Sequence, residues 1–128
     1  MGKRILVIDD EPGIRQILEI HLVSAGYEVV SAGDLLSGLE HIRRGGVDLA
    51  VCDFKLPDME GVGIVHAIKG LRRELPLVII SGFIDDEMEE KASAYGVIEY
   101  LKKPFSKEAL LGVIERVFCA QGEPAGNG

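Results

Sequence analysis

The sequence predicts an α/β domain on a doubly wound, five-stranded parallel sheet, and three observations carry that expectation. The apolar runs Ile5-Leu6-Val7-Ile8, Leu49-Ala50-Val51-Cys52 and Leu77-Val78-Ile79-Ile80 are nearly continuous rather than alternating, as strands enclosed on both faces are. Between them lie segments whose apolar residues recur at helical spacing, the βα alternation of a parallel sheet. Each run also ends in chemically useful residues: Asp9-Asp10, then Asp53, then Ser81, while Tyr100-Leu101 leads to Lys103-Pro104.

The first strand is expected over Arg4 to Ile8. A helix follows from Pro12, a residue suited to the first turn, with Ile14, Ile17, Leu18 and Leu22 on one face and Gly26 as a left-handed cap. The second strand, Tyr27 to Ala32, is mixed in polarity and so less enclosed. The second helix, about Asp34 to Arg44, carries Leu35, Leu36, Leu39 and Ile42 and is stopped by Gly45-Gly46. The third strand, Leu49 to Asp53, runs into the loop Phe54 to Gly61. A third helix, about Val62 to Arg72, uses Ile64, Val65, Ile68 and Leu71, and Pro76 separates it from the fourth strand. The fourth helix, about Asp85 to Ala94, offers only Met88, Ala92 and Tyr95 and is expected to hold to the sheet weakly. The fifth strand is short, around Ile98 to Leu101. Ser106 is placed to cap the fifth helix, with Leu110, Leu111, Ile114 and Val117 inward.

The chain has 128 residues, enough for one domain with a single core. Residues 1–119 are read as that domain and 120–128, rich in Gly, Ala and Pro, as a flexible tail or the start of a linker. A net charge of −7 argues against nucleic-acid binding by this segment, because phosphate contacts need clustered Lys and Arg. No apolar stretch is long enough to cross a bilayer, and no secretory signal opens the chain, so a soluble, cytoplasmic protein is expected. The acidic run 85–90 reads as a solvated helix start. Cys52 and Cys119 lack metal-ligand spacing, so neither a disulfide nor thiol chemistry is expected.

In an open parallel sheet, ligands bind outside the carboxyl ends of the strands. Carboxylates gathered there repel one another unless a cation lies between them. Mg²⁺ suits such a site, since it takes a few protein oxygens and keeps several waters; Mn²⁺ is the alternative ion. Asp10 and Asp53 are candidates for direct ligation, Asp9 for ligation through a water, and the Lys55 carbonyl for the remaining protein ligand. Asp53 is then a candidate carboxylate nucleophile toward a phosphoryl group. Lys103 can neutralise phosphoryl charge, Ser81 can donate a hydroxyl, and backbone N–H groups near Phe54 and Gly82 are further candidate donors. Each residue alone has an ordinary explanation: a loop Asp, a solvated Lys, a turn-capping Ser, a half-buried strand Tyr. Their order and shared strand-end placement carry the reading.

With these residues in view, the chain resembles a response regulator receiver domain of the two-component type, similar to the chemotaxis regulators. The resemblance rests on Asp9-Asp10, on Asp53 followed by Leu56-Pro57-Asp58-Met59-Glu60-Gly61, on Ser81-Gly82, and on Tyr100 with Lys103-Pro104-Phe105. It covers residues 3 to about 118. It implies a flavodoxin-like three-layer sandwich of strand order 2-1-3-4-5 with five helices. It further implies Asp53 as acceptor from a sensor kinase phosphohistidine or phosphotransfer protein, Asp9 and Asp10 as the metal pair, and Lys103 and Ser81 as phosphoryl contacts. Tyr100 would be the aromatic switch, and Lys103-Pro104 is a candidate cis peptide. Such a domain is a phospho-accepting regulator, not an enzyme acting on other substrates, and controls an output domain or partner. Ser81 stands where threonine is commoner and keeps the hydroxyl. Lys55 places a cation two residues after the acceptor, where it is expected to alter attack of water on the acyl phosphate.

The expected signal path runs from new phosphoryl oxygens to Ser81, then to burial of the Tyr100 ring and a shift of the fourth helix. The output surface would be the face of the fourth helix, fifth strand and fifth helix. A phosphatase of the haloacid dehalogenase type would want an acid where Lys55 stands, and no cap domain is evident. A flavin-binding protein would want a hydroxyl- and glycine-rich first loop instead of Asp9-Asp10-Glu11, and a receiver that signals unphosphorylated would have lost part of the acid and lysine set.

Overall fold

The computed structural model describes residues 2–84, 86–94 and 98–121. Ten elements alternate along it: β1 (Arg4–Ile8), α1 (Pro12–Ser24), β2 (Glu28–Ala32), α2 (Leu35–Arg44), β3 (Leu49–Asp53), α3 (Val62–Leu71), β4 (Leu77–Ser81), α4 (Asp86–Ser93), β5 (Ile98–Lys102) and α5 (Lys107–Ala120). The strands form one parallel sheet of order β2-β1-β3-β4-β5, the expected arrangement. Between β3 and α3, Lys55–Leu56 pairs antiparallel with Met59–Glu60, so the expected loop is a short hairpin.

Alternate residues of the central strands feed two cores. Ile5, Val7, Leu49, Val51, Val78 and Ile80 face α1 and α5, where Leu18, Leu22, Leu110, Ile114 and Phe118 are buried. Leu6, Ile8, Ala50, Cys52, Leu77 and Ile79 face the opposite way, with Leu35, Ile42, Ile64, Val65 and Ile68 of α2 and α3. Each fully buried Leu or Ile contributes about 1.5–3 kcal/mol relative to exposure, and the two layers together fix the sheet from both faces. β2 lies at the edge and most of its residues are only half-buried, as its mixed polarity predicts.

The helices end where their local chemistry dictates. At the end of α1 the Gly26 N–H donates to the Val23 carbonyl and the Tyr27 N–H to the Leu22 carbonyl, with Gly26 at φ 96°, a Schellman cap that frees the chain to re-enter the sheet. Asp34 and Ser106 cap α2 and α5 by accepting from the Ser37 and Ala109 N–H groups. The sequence stripes were broader than the faces the sheet can cover: Ile17, Leu36 and Leu71 are 45%, 74% and 42% exposed. On α5 the buried line is Leu110, Val113, Ile114, Val117 and Phe118, which leaves Leu111 at its border. Met88 of α4 is half-buried, and no described side chain of that helix reaches the core. The expected contributions of Ala92 and Tyr95, and the tail from 122 to 128, lie outside the described residues. α5 runs to Ala120, one residue beyond the expected domain end.

Candidate functional site

Parallel register delivers the strand-end residues to one level. Ile8 pairs with Cys52, so Asp9 and Asp53 leave the sheet side by side; Asp53 pairs with Ile80 and Ser81 with Lys102, so Ser81 and Lys103 emerge next to them. Together with Asp10, Glu11, Lys55, Leu56, Pro57 and Gly82, the residues Asp53, Ser81 and Lys103 line an open cleft of about 440 Å³ at the carboxyl edge.

Carboxylate oxygens of Asp9, Asp10 and Asp53 all lie within 4.8 Å of one another. Asp9 is fully buried and Asp53 is 7% exposed, while Asp10 is open to the cleft. Asp9 Oδ1 accepts the Glu11 N–H at 2.9 Å. Among the described residues Asp9 Oδ2 has no hydrogen-bond partner, only an ion contact of 3.4 Å with Lys103 Nζ. Burial pushes the Asp9 pKa up, with Asp53 adding to the rise and the Glu11 N–H and Lys103 opposing it. A buried carboxylate oxygen without a donor, beside two further acids, is a donor set that fits a hard divalent cation.

Lys103 Nζ reaches Asp53 Oδ2 at 2.8 Å and Glu11 Oε1 at 3.3 Å. Burial works against its charge, but the bond to Asp53 and the surrounding acids outweigh it and hold the Lys103 pKa above the ordinary lysine value. The Lys103-Pro104 peptide is cis, as the resemblance implied. The other oxygen of Asp53, Oδ1, accepts the Lys55 N–H at 3.1 Å. Of the backbone N–H groups near Phe54, that of Phe54 itself donates to the Ile80 carbonyl at 3.0 Å, because the chain continues the β3–β4 ladder there. The Lys55 side chain is exposed at the rim.

Ser81 lines the cleft, but its hydroxyl is engaged within its own loop: Oγ donates to the Phe83 carbonyl at 2.8 Å and accepts the Phe83 N–H at 3.2 Å. Tyr100 lies away from the acids, half-buried against the α2–α3 core, with its hydroxyl 3.4 Å from the Met88 and Glu89 carbonyls of α4. Cys52 is fully buried under the site and donates to the Asp53 carbonyl; burial pushes its thiol pKa well up, which removes it from nucleophilic chemistry.

Three contacts were not legible beforehand. Glu11 pairs with Lys103 across 92 residues, the Arg15 guanidinium donates to the Asp9 carbonyl at 2.7 Å, and Asp58 accepts two N–H groups of α2. Only the position of Glu11 beside the acid pair hinted at the first.

Comparison with known proteins agrees with this geometry. The family model described as the response regulator receiver domain matches residues 5–115. The transcriptional regulatory protein GlrR of Escherichia coli K12 is 34% identical over 113 residues, which is 87% of this chain and 25% of GlrR. A CheY-like receiver domain protein from Methanospirillum hungatei superposes with a TM-score of 0.88 at 31% identity, covering 95% of this chain and 98% of that one. The receiver domain of a sensor histidine kinase from Pseudomonas aeruginosa, determined with magnesium coordinated in its active site cleft, superposes at 0.80 with 25% identity, covering 91% and 98%.

A flavodoxin-like sheet with acids, hydroxyl and lysine at its carboxyl edge defines a phosphorylation-dependent signalling switch. The chain belongs to the response regulator receiver domain family. It spans about a quarter of the length of the transcriptional regulators it matches first. Within the described residues no helix is long and apolar enough to cross a membrane.

Proposed function

We propose that Asp53 is the phosphoryl acceptor and that Asp9, Asp10 and the Lys55 carbonyl, with Asp53 itself, hold Mg²⁺, Asp9 acting through a water. Mn²⁺ is the alternative ion. The observation that carries the reading is the placement of Asp53 at 7% exposure, 2.8 Å from Lys103 Nζ and among the acid trio. When bound, the cation offsets the charge of the phosphoryl oxygens and of the acids beside them.

The protein's own groups do the positioning. A carboxylate oxygen of Asp53 forms the bond to phosphorus as the phosphorus–nitrogen bond of a donor phosphohistidine breaks, and the imidazole nitrogen keeps the electron pair. The Lys55 N–H on Oδ1 and Lys103 on Oδ2 orient the carboxylate for this in-line transfer. Lys103 follows the charge onto a phosphoryl oxygen. Ser81 donates to another, and doing so releases its two bonds to Phe83. The freed loop opens space beside Tyr100, whose weak 3.4 Å contacts to α4 are easily exchanged. The α4–β5–α5 face then changes for an output domain or partner.

On this reading the partner is a sensor histidine kinase or phosphotransfer protein in the cytoplasm, and residues 1–119 form the receiver, with 120–128 a tail or linker start. The chain catalyses only its own phosphoryl gain and loss, and this segment contacts neither nucleic acid nor membrane. Incubation with a small phosphodonor and Mg²⁺, followed by intact-mass measurement, tests it. Wild type gains one phosphoryl group, and Asp53→Asn or wild type in excess chelator gains none. Equal labelling of wild type and Asp53→Asn would overturn the assignment.

A further inference from the structure

The hairpin after Asp53 is clasped at both ends. At its base the Gly61 N–H donates to the Phe54 carbonyl at 2.9 Å. At its tip the Asp58 carboxylate reaches across to the start of α2: Oδ1 accepts the Leu35 N–H at 2.9 Å and Oδ2 the Leu36 N–H at 3.0 Å. These donors lie 23 and 22 residues away in sequence, so the contact is tertiary, not a local cap. It is charge-assisted, because the first turn of a helix carries unpaired N–H groups and partial positive charge. The two N–H bonds hold the Asp58 pKa below the ordinary carboxylate range. α2 already has its local cap in Asp34, which accepts the Ser37 N–H at 2.8 Å. Asp58 therefore adds something that an ordinary N-cap does not supply. It ties the hairpin to a rigid element.

The near arm of that hairpin forms one wall of the phosphoryl cup. Lys55 donates its N–H to Asp53 Oδ1 at 3.1 Å, and Leu56 is buried in the same core as Leu35. We propose that Asp58 is a positioning residue for the cation: by latching the hairpin tip to α2, it holds the Lys55 carbonyl and the Asp53 carboxylate in ligating geometry. This rests on the assignment of the cup as a Mg²⁺ site. Linkage makes the effect reciprocal, so a cation that favours the latched hairpin also tightens the α2 start. The N-terminus of α2 thereby reports on the cup by a path separate from Ser81 and Tyr100.

Mg²⁺ titration calorimetry on the full chain tests this, with amide hydrogen exchange at Leu35 and Leu36 as the second reading. Outer partners that orient metal ligands typically cost about tenfold or more in affinity when removed, and Asp58→Ala is expected to weaken Mg²⁺ binding by about tenfold. Asp58→Asn, which keeps one acceptor oxygen, falls between. Asp34→Ala removes a cap from the same helix without touching the hairpin and leaves the affinity unchanged. In wild type, exchange at Leu35 and Leu36 slows when Mg²⁺ is added, and this slowing is lost in Asp58→Ala. Unchanged affinity in Asp58→Ala, or an equal loss in Asp34→Ala, overturns the latch while leaving the cup assignment intact. Failure of wild type to bind Mg²⁺ overturns the cup assignment, and the latch with it.

Discussion

Lys103 Nζ lies 2.8 Å from Asp53 Oδ2, joining the residue just past β5 to the end of β3 across 50 residues of sequence. That single bond neutralises the candidate acceptor and leaves the ammonium facing the cleft. Lys103 also faces Asp9 and Glu11, so it is the common partner of three carboxylates. Replacing it with Met removes their shared cation. We expect Lys103→Met to cost about 1–3 kcal/mol of stability in chelator, as a buried acceptor left without its donor does, and Mg²⁺ to restore part of it. Chemical denaturation with and without Mg²⁺ measures both quantities, and an unaffected stability in chelator would contradict the role.

Asp9 should behave in the opposite sense. Burial holds its pKa above the 3.8 of an unperturbed Asp, so the folded chain binds the proton more tightly than the unfolded chain. Stability from this group is present when it is protonated and is lost as pH rises through the raised pKa. Asp9→Asn is therefore expected to stabilise the metal-free protein at neutral pH by about 1 kcal/mol. It should also diminish the thermal shift produced by Mg²⁺. The advantage of the variant grows as pH rises above 3.8. Thermal denaturation across pH in chelator checks this, and a variant less stable than wild type there would be the contrary result.

Lys55 is exposed at the rim, two residues past Asp53. Its ammonium can stabilise charge as water attacks the acyl phosphate. Lys55→Ala is expected to lengthen the phosphorylated lifetime by about threefold, less than the loss of an enclosed oxyanion donor because the side chain is solvated. A lifetime equal to wild type would remove Lys55 from the hydrolysis step, and a shorter one would reverse the role assigned to it.

Tyr100→Ala separates uptake from output. The ring packs against the α2–α3 core and its hydroxyl faces α4, so phosphoryl uptake should match wild type, while the response of α4 should weaken. Backbone chemical shifts of α4 with and without beryllofluoride read that response directly. Wild-type shifts in the variant would exclude the ring from the path.

Much of this architecture was legible because parallel strands buried on both faces must be continuously apolar, and such runs ended at Ile8, Cys52 and Ile80. Strand order is set by crossovers, not by composition, and came only with the family resemblance. The acids, Ser81 and Lys103 were visible because register brings successive strand ends together. Helix faces were harder. Leu36 sits beside Leu35 in the apolar stripe, but successive helical side chains point about 100° apart, and Leu36 is exposed while Leu35 is buried. Which backbone N–H groups near Phe54 stay free, and whether Ser81 bonds its own turn, was open; ladder bonding takes the Phe54 N–H and the turn engages the Ser81 hydroxyl. Such choices depend on backbone geometry that residue identity does not encode locally. The Asp58 latch and the Glu11–Lys103 pair span long separations and have no periodic signature.

The placement of the phosphoryl group is the point on which everything else depends. The protein is to be phosphorylated with a small donor and Mg²⁺, and the acyl phosphate reduced with borohydride, which converts a phosphorylated aspartate to homoserine. Peptide mass spectrometry then locates the conversion. The account predicts homoserine at position 53 alone, dependent on Mg²⁺; conversion at position 9 or 10, or at another carboxylate, would contradict it.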